Sequence, residues 1–235
     1  MIRNLKTMGL ALVALFVFSA LAASAASAQN GRLTSDGPVT LDMTEIAGQL
    51  NAFTKFGGSF QCPGSTLTGH RYNVTPHELI PSGSEIYTLT PDYNQPNCVA
   101  IEGGTTHKAT MTMNGCDYVL HVGATTGQAD TYSTTLDIVC PAGQSIIDDV
   151  YFSATNENLK VCETTIGPQN GLAGATIKDT TTGDLELHGT YTGLSESKSG
   201  VCGAGNTTTG EFHVNLTVNG TSSGGAATQV GLSHI

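Results

Sequence analysis

The chain has 235 residues, of which 19 are acidic and 9 are Lys or Arg, so its formal charge is −10 at neutral pH. An acidic chain with so few cationic side chains is repelled by phosphate backbones and anionic lipid, which argues against nucleic-acid binding. Only 12% of the residues are charged, so hydroxyl and amide groups must solvate much of the surface, as in many extracellular β proteins.

The first 28 residues have the three parts of a secretory signal peptide. Arg3 and Lys6 supply a positive n-region, an apolar stretch follows over residues 8–23, and Ala26-Ser27-Ala28 forms an A-x-A cleavage site. We therefore predict that the mature chain is secreted, periplasmic or displayed on the cell surface, with no stable membrane insertion after cleavage. An uncleaved anchor is the alternative, although a spanning helix needs roughly 20 apolar residues.

The mature part alternates between short apolar segments and turn residues. Alternating apolar side chains predict strands at 39–43, 51–61, 67–74, 86–90, 105–113, 146–154 and 159–166. Five prolines between residues 63 and 96 exclude long helices from that region, and one short helical turn is expected at 44–50. The pattern predicts an all-β protein, either an antiparallel β-sandwich or two packed small β modules, stapled by disulfides.

The predicted organisation has five parts. They are a signal peptide (1–28), a flexible lead-in (29–38), a first β module (39–105), a second β module (106–220) and a flexible C-terminal tail (221–235). The loop at 141–145 is the alternative boundary between the two modules.

Six cysteines follow the predicted signal peptide, and an even number in an exported chain indicates disulfides formed in an oxidising compartment. Six cysteines allow 15 connectivities. We predict sequential pairing: Cys62–Cys98, Cys116–Cys140 and Cys162–Cys202. A metal site is the weaker alternative, because no two cysteines have C-x-x-C spacing.

The middle pairing is supported by strand register. Residues 116–140 alternate in polarity and carry a cysteine at the outer end of each predicted arm. Side chains on one face of a strand recur every two residues, so a pairing of Cys116 with Cys140 fixes the rest of the hairpin. That register predicts three further cross-strand pairs: Tyr118–Ile138, Leu120–Leu136 and Val122–Thr134.

A short internal repeat follows, because residues 179–187 resemble residues 206–214. Each copy starts with Asp or Asn, continues with Thr-Thr-Thr-Gly and an acid, and ends in alternating apolar residues. We predict an Asx-initiated turn in each copy and two hairpins of one sheet. Two copies are too few for a solenoid.

One polar cluster is expected on the predicted hairpin. The proposed register places Asp137 diagonal to His121 on the face opposite the cysteines, and Asp117 lies on the same face. A histidine beside carboxylates can act as an acid–base group or help to hold a cation, but the favoured interpretation is the polar outer face of a half-buried sheet. His70 and His77 form a second weak candidate, and their spacing fits no metal motif.

Acidic turns suggest a weak calcium site. The candidate ligands are Asp179, Asp184, Asn206 and Glu211, since calcium prefers oxygen donors. The alternative is that Asp and Asn begin turns for backbone reasons. A calcium-stabilised carbohydrate-binding module is therefore a possibility, although the chain lacks Trp and its tyrosines are scattered.

The segment from Ser195 to Lys198 matches the S-x-x-K pattern of penicillin-recognising serine enzymes. In those enzymes the two residues share a helix, whereas this segment is rich in Gly and Ser. We expect the match to be coincidental.

These observations favour an exported, non-catalytic β-rich protein that binds an unknown extracellular protein or glycan or has a structural role. No catalytic residue or cofactor is assigned from the sequence. The alternative is a secreted hydrolase with a His/carboxylate site at His121 and Asp137 or near His70 and His77.

Overall fold

The computed structural model describes residues 31–35, 39–46, 52–55, 58–72, 86–93, 97–155, 157–180, 184–201, 205–222 and 224–234. The predicted signal peptide and most of the predicted helical turn lie outside these ranges. Within them the chain forms only strands, turns and bends, so the predicted all-β class is confirmed. No helix in the described ranges has the length and hydropathy needed to span a membrane.

The strands of the described residues are numbered in chain order. They are β1 (Gly31–Ser35), β2 (Val39–Glu45), β3 (Ala52–Lys55), β4 (Gly58–Gln61), β5 (Thr66–Tyr72), β6 (Ile86–Asp92), β7 (Val99–Glu102), β8 (Thr105–Thr112), β9 (Asp117–Thr125), β10 (Thr131–Val139), β11 (Ile146–Tyr151), β12 (Lys160–Ile166), β13 (Gln169–Asp179), β14 (Leu185–Gly200), β15 (Gly205–Ser222), β16 (Ala227–Thr228) and β17 (Val230–His234).

Antiparallel pairing links fourteen of these strands into two closed circuits that share β14 and β15, while β16 pairs only with β15 and β1 pairs with β17 in a separate sheet. The first circuit follows hydrogen-bonded neighbours through β15, β2, β5, β6, β9, β10, β13 and β14, and returns to β15. The second runs through β14, β12, β11, β8, β7, β4, β3 and β15, and returns to β14. Closure satisfies the edge hydrogen bonds that an open sheet would leave exposed.

The hairpin of β14 and β15 is long because each strand serves both circuits. β14 pairs with β13 up to Thr192 and with β12 from Ser197 onward. Between these stretches its register against β15 shifts, and Gly193 has a φ of 85°. A bulge of this kind bends a strand, and glycine adopts the left-handed conformation without steric cost. The bend lets one strand change neighbours.

An aromatic cluster centred on Phe212 of β15 joins the interiors of the two circuits. Its ring stacks on Phe53 of β3 with centroids 4.3 Å apart, and it lies 5.6 Å from the ring of Tyr118 on β9. Tyr191 of β14 is 6.4 Å away on a third side. All four side chains are buried, so the hydrophobic core is continuous between the circuits.

The predicted hairpin is present with the predicted register. β9 and β10 pair Tyr118 with Ile138, Leu120 with Leu136 and Val122 with Thr134. Disulfides join Cys116 to Cys140 and Cys62 to Cys98, as predicted. Cys162 is also disulfide-bonded. The predicted partner, Cys202, lies outside the described residues, so that pairing stays a prediction.

Strands form in both of the segments that the sequence predicts to be flexible. Segments predicted as a flexible lead-in (29–38) and tail (221–235) contribute β1 and β17, which pair with each other over five residues. Leu33 and Val230 are buried there, and the Leu33 amide donates to the Tyr87 hydroxyl at 2.9 Å. Turn-rich composition suggested mobility, but burial of these apolar side chains holds β1 and β17 against the core.

Two local predictions also differ from the structure. The second copy of the repeat, at 206–214, lies inside β15 and forms no turn, because Gly205–Lys198 pairing has already started the hairpin. In addition, β6 continues through Pro91 to Asp92. Its pairing with β9 ends at Leu89, so the missing N–H of Pro91 interrupts no hydrogen bond on that side.

Strands from both predicted modules occur in each circuit. The hairpin of β7 and β8, for example, spans the predicted boundary between residues 105 and 106, with Glu102 paired to Thr105. β2, β5 and β6 belong to the first circuit, while β3, β4 and β7 belong to the second. The sheet is therefore continuous across that boundary.

Candidate functional site

The predicted polar cluster on the hairpin is partly assembled. His121 Nε2 lies 2.9 Å from Asp137 Oδ2, across the β9–β10 ladder. The other carboxylate oxygen of Asp137 accepts the backbone N–H of Gly171 on β13 at 2.7 Å. One carboxylate thus connects three neighbouring strands and orients the imidazole, which is a structural role as well as a chemical one.

Asp117 does not share this contact. It lies four residues before His121 on the same strand, a separation of about 13 Å along an extended chain. Its carboxylate accepts the hydroxyl of Thr90 on β6 at 2.8 Å. Of the other predicted candidates, His70 is on β5 and His77 lies outside the described residues.

A hydroxyl, an imidazole and a carboxylate stand in series on the outer face of the long hairpin. Thr190 Oγ1 shares a 2.9 Å hydrogen bond with His213 Nδ1, and His213 Nε2 lies 3.4 Å from Glu211 Oε2. Thr190 and His213 are directly opposite each other on β14 and β15. This order matches the nucleophile, base and orienting acid of acyl-transfer enzymes.

Sequence reasoning missed that arrangement because Thr190 is distant from His213 along the chain. Glu211 and His213 show the i, i+2 spacing of one strand face, which is too common to indicate a site. Only the pairing of β14 with β15 brings the hydroxyl to the imidazole.

The four candidate calcium ligands do not form one site. Asp179 ends β13 and Asp184 directly precedes β14, whereas Asn206 and Glu211 are on β15, opposite Ser197 and Thr192. Leu185, the first residue of β14, is twelve residues from Ser197, or about 40 Å of strand. No group of three His, Cys, Asp or Glu among the described residues could hold a metal. Calcium binding stays a prediction that melting with and without calcium would test.

Asp179 has a carboxylate neighbour. Partial burial raises the pKa of Asp179, and the charge of Asp130 raises it further, while a hydrogen bond from the Leu232 backbone acts in the opposite direction. The two residues are joined by a backbone hydrogen bond from the Asp179 N–H to the Asp130 carbonyl, at 3.0 Å. Asp130 thus lies beside the end of β13.

The S-x-x-K match is not a catalytic pair. Ser195 is exposed on one face of β14, whereas the Lys198 side chain is only 7% exposed and points inward. Its Nζ lies 2.9 Å from Glu196 Oε1. Lys198 thus forms a buried ion pair with Glu196 and does not contact Ser195 in the manner of those enzymes.

An open pocket of about 660 Å³ lies where β5 begins and where β6 and β8 end. Its lining includes Thr66, Pro91, Asp92, Tyr93, Met111 and Met113. Thr66 and Asp92 are cross-strand neighbours. The hydroxyl of Tyr93 shares a hydrogen bond with that of Tyr118, so this lining residue is anchored to the core.

Comparison of the chain with protein-family models, with curated proteins and with solved structures gave no significant match. We therefore infer function from the geometry of these residues.

Proposed function

We propose that the chain is an exported, non-catalytic binding module and that the pocket beside β5, β6 and β8 is its ligand site. The observation that carries this proposal is the pocket volume of about 660 Å³, which falls within the range of about 300–1,000 Å³ typical of small-molecule sites. The predicted signal peptide and the disulfides support export, because disulfides persist in oxidising compartments.

The lining favours a hydroxyl-rich ligand such as one sugar unit of a glycan. Asp92 is exposed, and its carboxylate can accept hydrogen bonds from a ligand. Thr66, its cross-strand neighbour, contributes a hydroxyl group to the same pocket. Pro91 and Met113 supply apolar surface for the C–H face of a ring. Polar groups that fix orientation, combined with apolar contacts, are characteristic of such sites.

A glycan array probed with the mature chain tests this proposal. We expect a defined set of glycans to bind. Asp92→Asn should weaken binding at least about tenfold, because it weakens a hydrogen bond to a charged group worth about 1.5 kcal/mol or more, and Thr66→Val should weaken binding about two- to tenfold, because it removes a neutral hydrogen bond of about 0.5–1.5 kcal/mol. Thr112→Val, at an exposed position of β8, is the matched control and should bind normally. The proposal would be rejected if no glycan bound, or if the pocket variants bound glycans as tightly as the wild-type chain.

A secreted hydrolase is the second candidate, and the series Thr190–His213–Glu211 is the observation that favours it. In this role the imidazole would accept the threonine proton as the hydroxyl attacks an acyl carbon. Hydrolysis of activated acyl esters should then be lost in Thr190→Val and retained in His188→Ala, an exposed control on the same strand. No turnover by the wild-type chain, or equal turnover by both variants, would exclude this candidate.

A further inference from the structure

Three ionisable side chains are buried inside the second circuit. Asp148 of β11 is 0% exposed and Glu196 of β14 is 4% exposed, and the side chain of Lys198 pairs with Glu196 at 2.9 Å. Asp, Glu and Lys are rarely buried unless they are paired, and these three include two carboxylates for one ammonium group. We refer to Asp148, Glu196 and Lys198 as the buried trio.

Strand register brings Asp148 and Lys198 to the same inner row. Asp148 pairs with Thr164 of β12, and Thr164 pairs with Lys198 of β14. Thr164 is also fully buried, which identifies this row as facing the interior. Strands two apart in a sheet are separated by about 10 Å, and a lysine side chain joined to an aspartate side chain spans about 10 Å at standard bond lengths. Curvature of the closed sheet makes inward side chains converge.

The trio lies among buried residues. Met111 lies opposite Asp148 on β8. Burial raises the pKa of Tyr118, the hydrogen bond with Tyr93 lowers it, and the charge of Asp148 raises it. Neither oxygen of Glu196 accepts a well-aligned hydrogen bond. Three charges in such a place cost folding free energy unless they are neutralised.

We propose that Lys198 and Asp148 condense to an intramolecular amide in the folded chain, with Glu196 transferring the protons. Glu196 accepts a proton from the Lys198 ammonium, and the free amine attacks Cγ of Asp148. Glu196 then delivers its proton to an Asp148 oxygen, and the second departing nitrogen proton reaches the same oxygen through Glu196. The C–N bond forms, the C–O bond breaks and one water leaves.

The reaction is balanced without any oxidant, reductant or activating group. An ammonium and a carboxylate are consumed, one amide and one water are produced, and Glu196 ends as it began. Exclusion of water favours the amide because two buried charges disappear and the product water is released to solvent. The bond would join β11 to β14 across β12 and, unlike a disulfide, would resist thiol reductants.

We expect no amide to form in a matched group on the surface. Lys160 Nζ lies 2.8 Å from Glu163 Oε2 and 3.2 Å from Asp149 Oδ1, so it has the same three residue types. Its side chain is 46% exposed, and water there stabilises the separate charges. The surface group is therefore an internal control.

Intact-mass and peptide-mapping measurements on the reduced and alkylated mature chain test the proposal. We expect a mass lower by one water than the sequence requires, and a branched peptide that joins residues 148 and 198. Lys198→Met should restore the full mass, and Glu196→Gln should lower the rate of cross-link formation after refolding at least about tenfold, because general acid–base groups contribute 10²–10⁴-fold to rates. Lys160 should stay unmodified.

The wild-type chain alone can overturn the proposal. A folded wild-type protein with the full calculated mass would reject it, whatever the variants do. A water loss located within a single linear peptide, such as a succinimide at one aspartate, would also reject it, as would a branched peptide at Lys160.

Discussion

Removal of the disulfide Cys116–Cys140 should destabilise the protein by a predictable amount. The bridge joins residues 24 apart, and a loop of that length restricts the unfolded chain by roughly 3.5 kcal/mol in the chain-entropy model. Cys116 is 1% exposed, so deleting its buried sulfur adds a packing loss of about 1 kcal/mol. We expect Cys116→Ala/Cys140→Ala to lose about 4–5 kcal/mol in total.

Urea denaturation followed by circular dichroism measures this loss. A chain of this size shifts its Tm by about 2–4 °C per kcal/mol, so a melting experiment should show a drop of about 8–20 °C. The urea m-value should rise, because the unfolded chain becomes more expanded when the loop is opened.

The matched control is Cys62→Ala/Cys98→Ala. That bridge joins residues 36 apart, and the same model assigns it roughly 3.8 kcal/mol. Both double variants should therefore lose nearly equal stability. A loss below about 1 kcal/mol for the Cys116–Cys140 variant would refute the reasoning, because it would mean that the native β9–β10 register already restricts the unfolded chain.

Three further predictions follow from the core and from one end of β13. Burial raises the pKa of Tyr118 and Tyr191. The stability that these two neutral side chains contribute is therefore present below the ordinary tyrosine pKa of about 10 and falls above it, by up to about 1.4 kcal/mol per pH unit for each tyrosine. Phenolate absorbance should appear only with unfolding, and earlier ionisation would contradict this. Phe212→Ala should cost about 3–5 kcal/mol in urea denaturation, whereas a loss under 1 kcal/mol would show that the rings around it do not form one core. Burial and the charge of Asp130 raise the pKa of Asp179, so ionisation of Asp179 destabilises the fold as the pH rises. Asp179→Asn should therefore raise the Tm at pH 7 but not at pH 3. A gain in Tm at both pH values would refute the charge argument.

Much of the local structure was predictable because it depends on short-range rules. The alternation in residues 116–140 specifies which side chains share a face, and a one-residue slip would expose every apolar side chain of the hairpin. The register and its disulfide were therefore both predicted. The second copy of the repeat, at 206–214, shows the opposite case, since its Thr-Thr-Thr-Gly residues are typical of a turn and yet lie within β15.

The candidate sites were less predictable, because each depends on pairing between distant strands. His121 and Asp137 were found since they occupy one hairpin. The contact of Thr190 with His213 requires the long β14–β15 hairpin, whose start was placed wrongly in the sequence. In the sequence, Lys198 stands out only through its S-x-x-K spacing from Ser195. In the structure its ion-pair partner in the core is Glu196.

The sequence by itself determined the strand content, the facing of side chains within each strand and the closest disulfide, because period-two alternation and short loops leave few alternatives. Only the tertiary structure decided which distant strands pair, that β14 and β15 close two circuits, and that Asp148, Glu196 and Lys198 share one interior. The physical reason is that loop-closure entropy changes slowly with loop length, so distant pairings differ little in that cost. The choice among them is made by how well the whole set of side chains packs, which no single segment of the chain records.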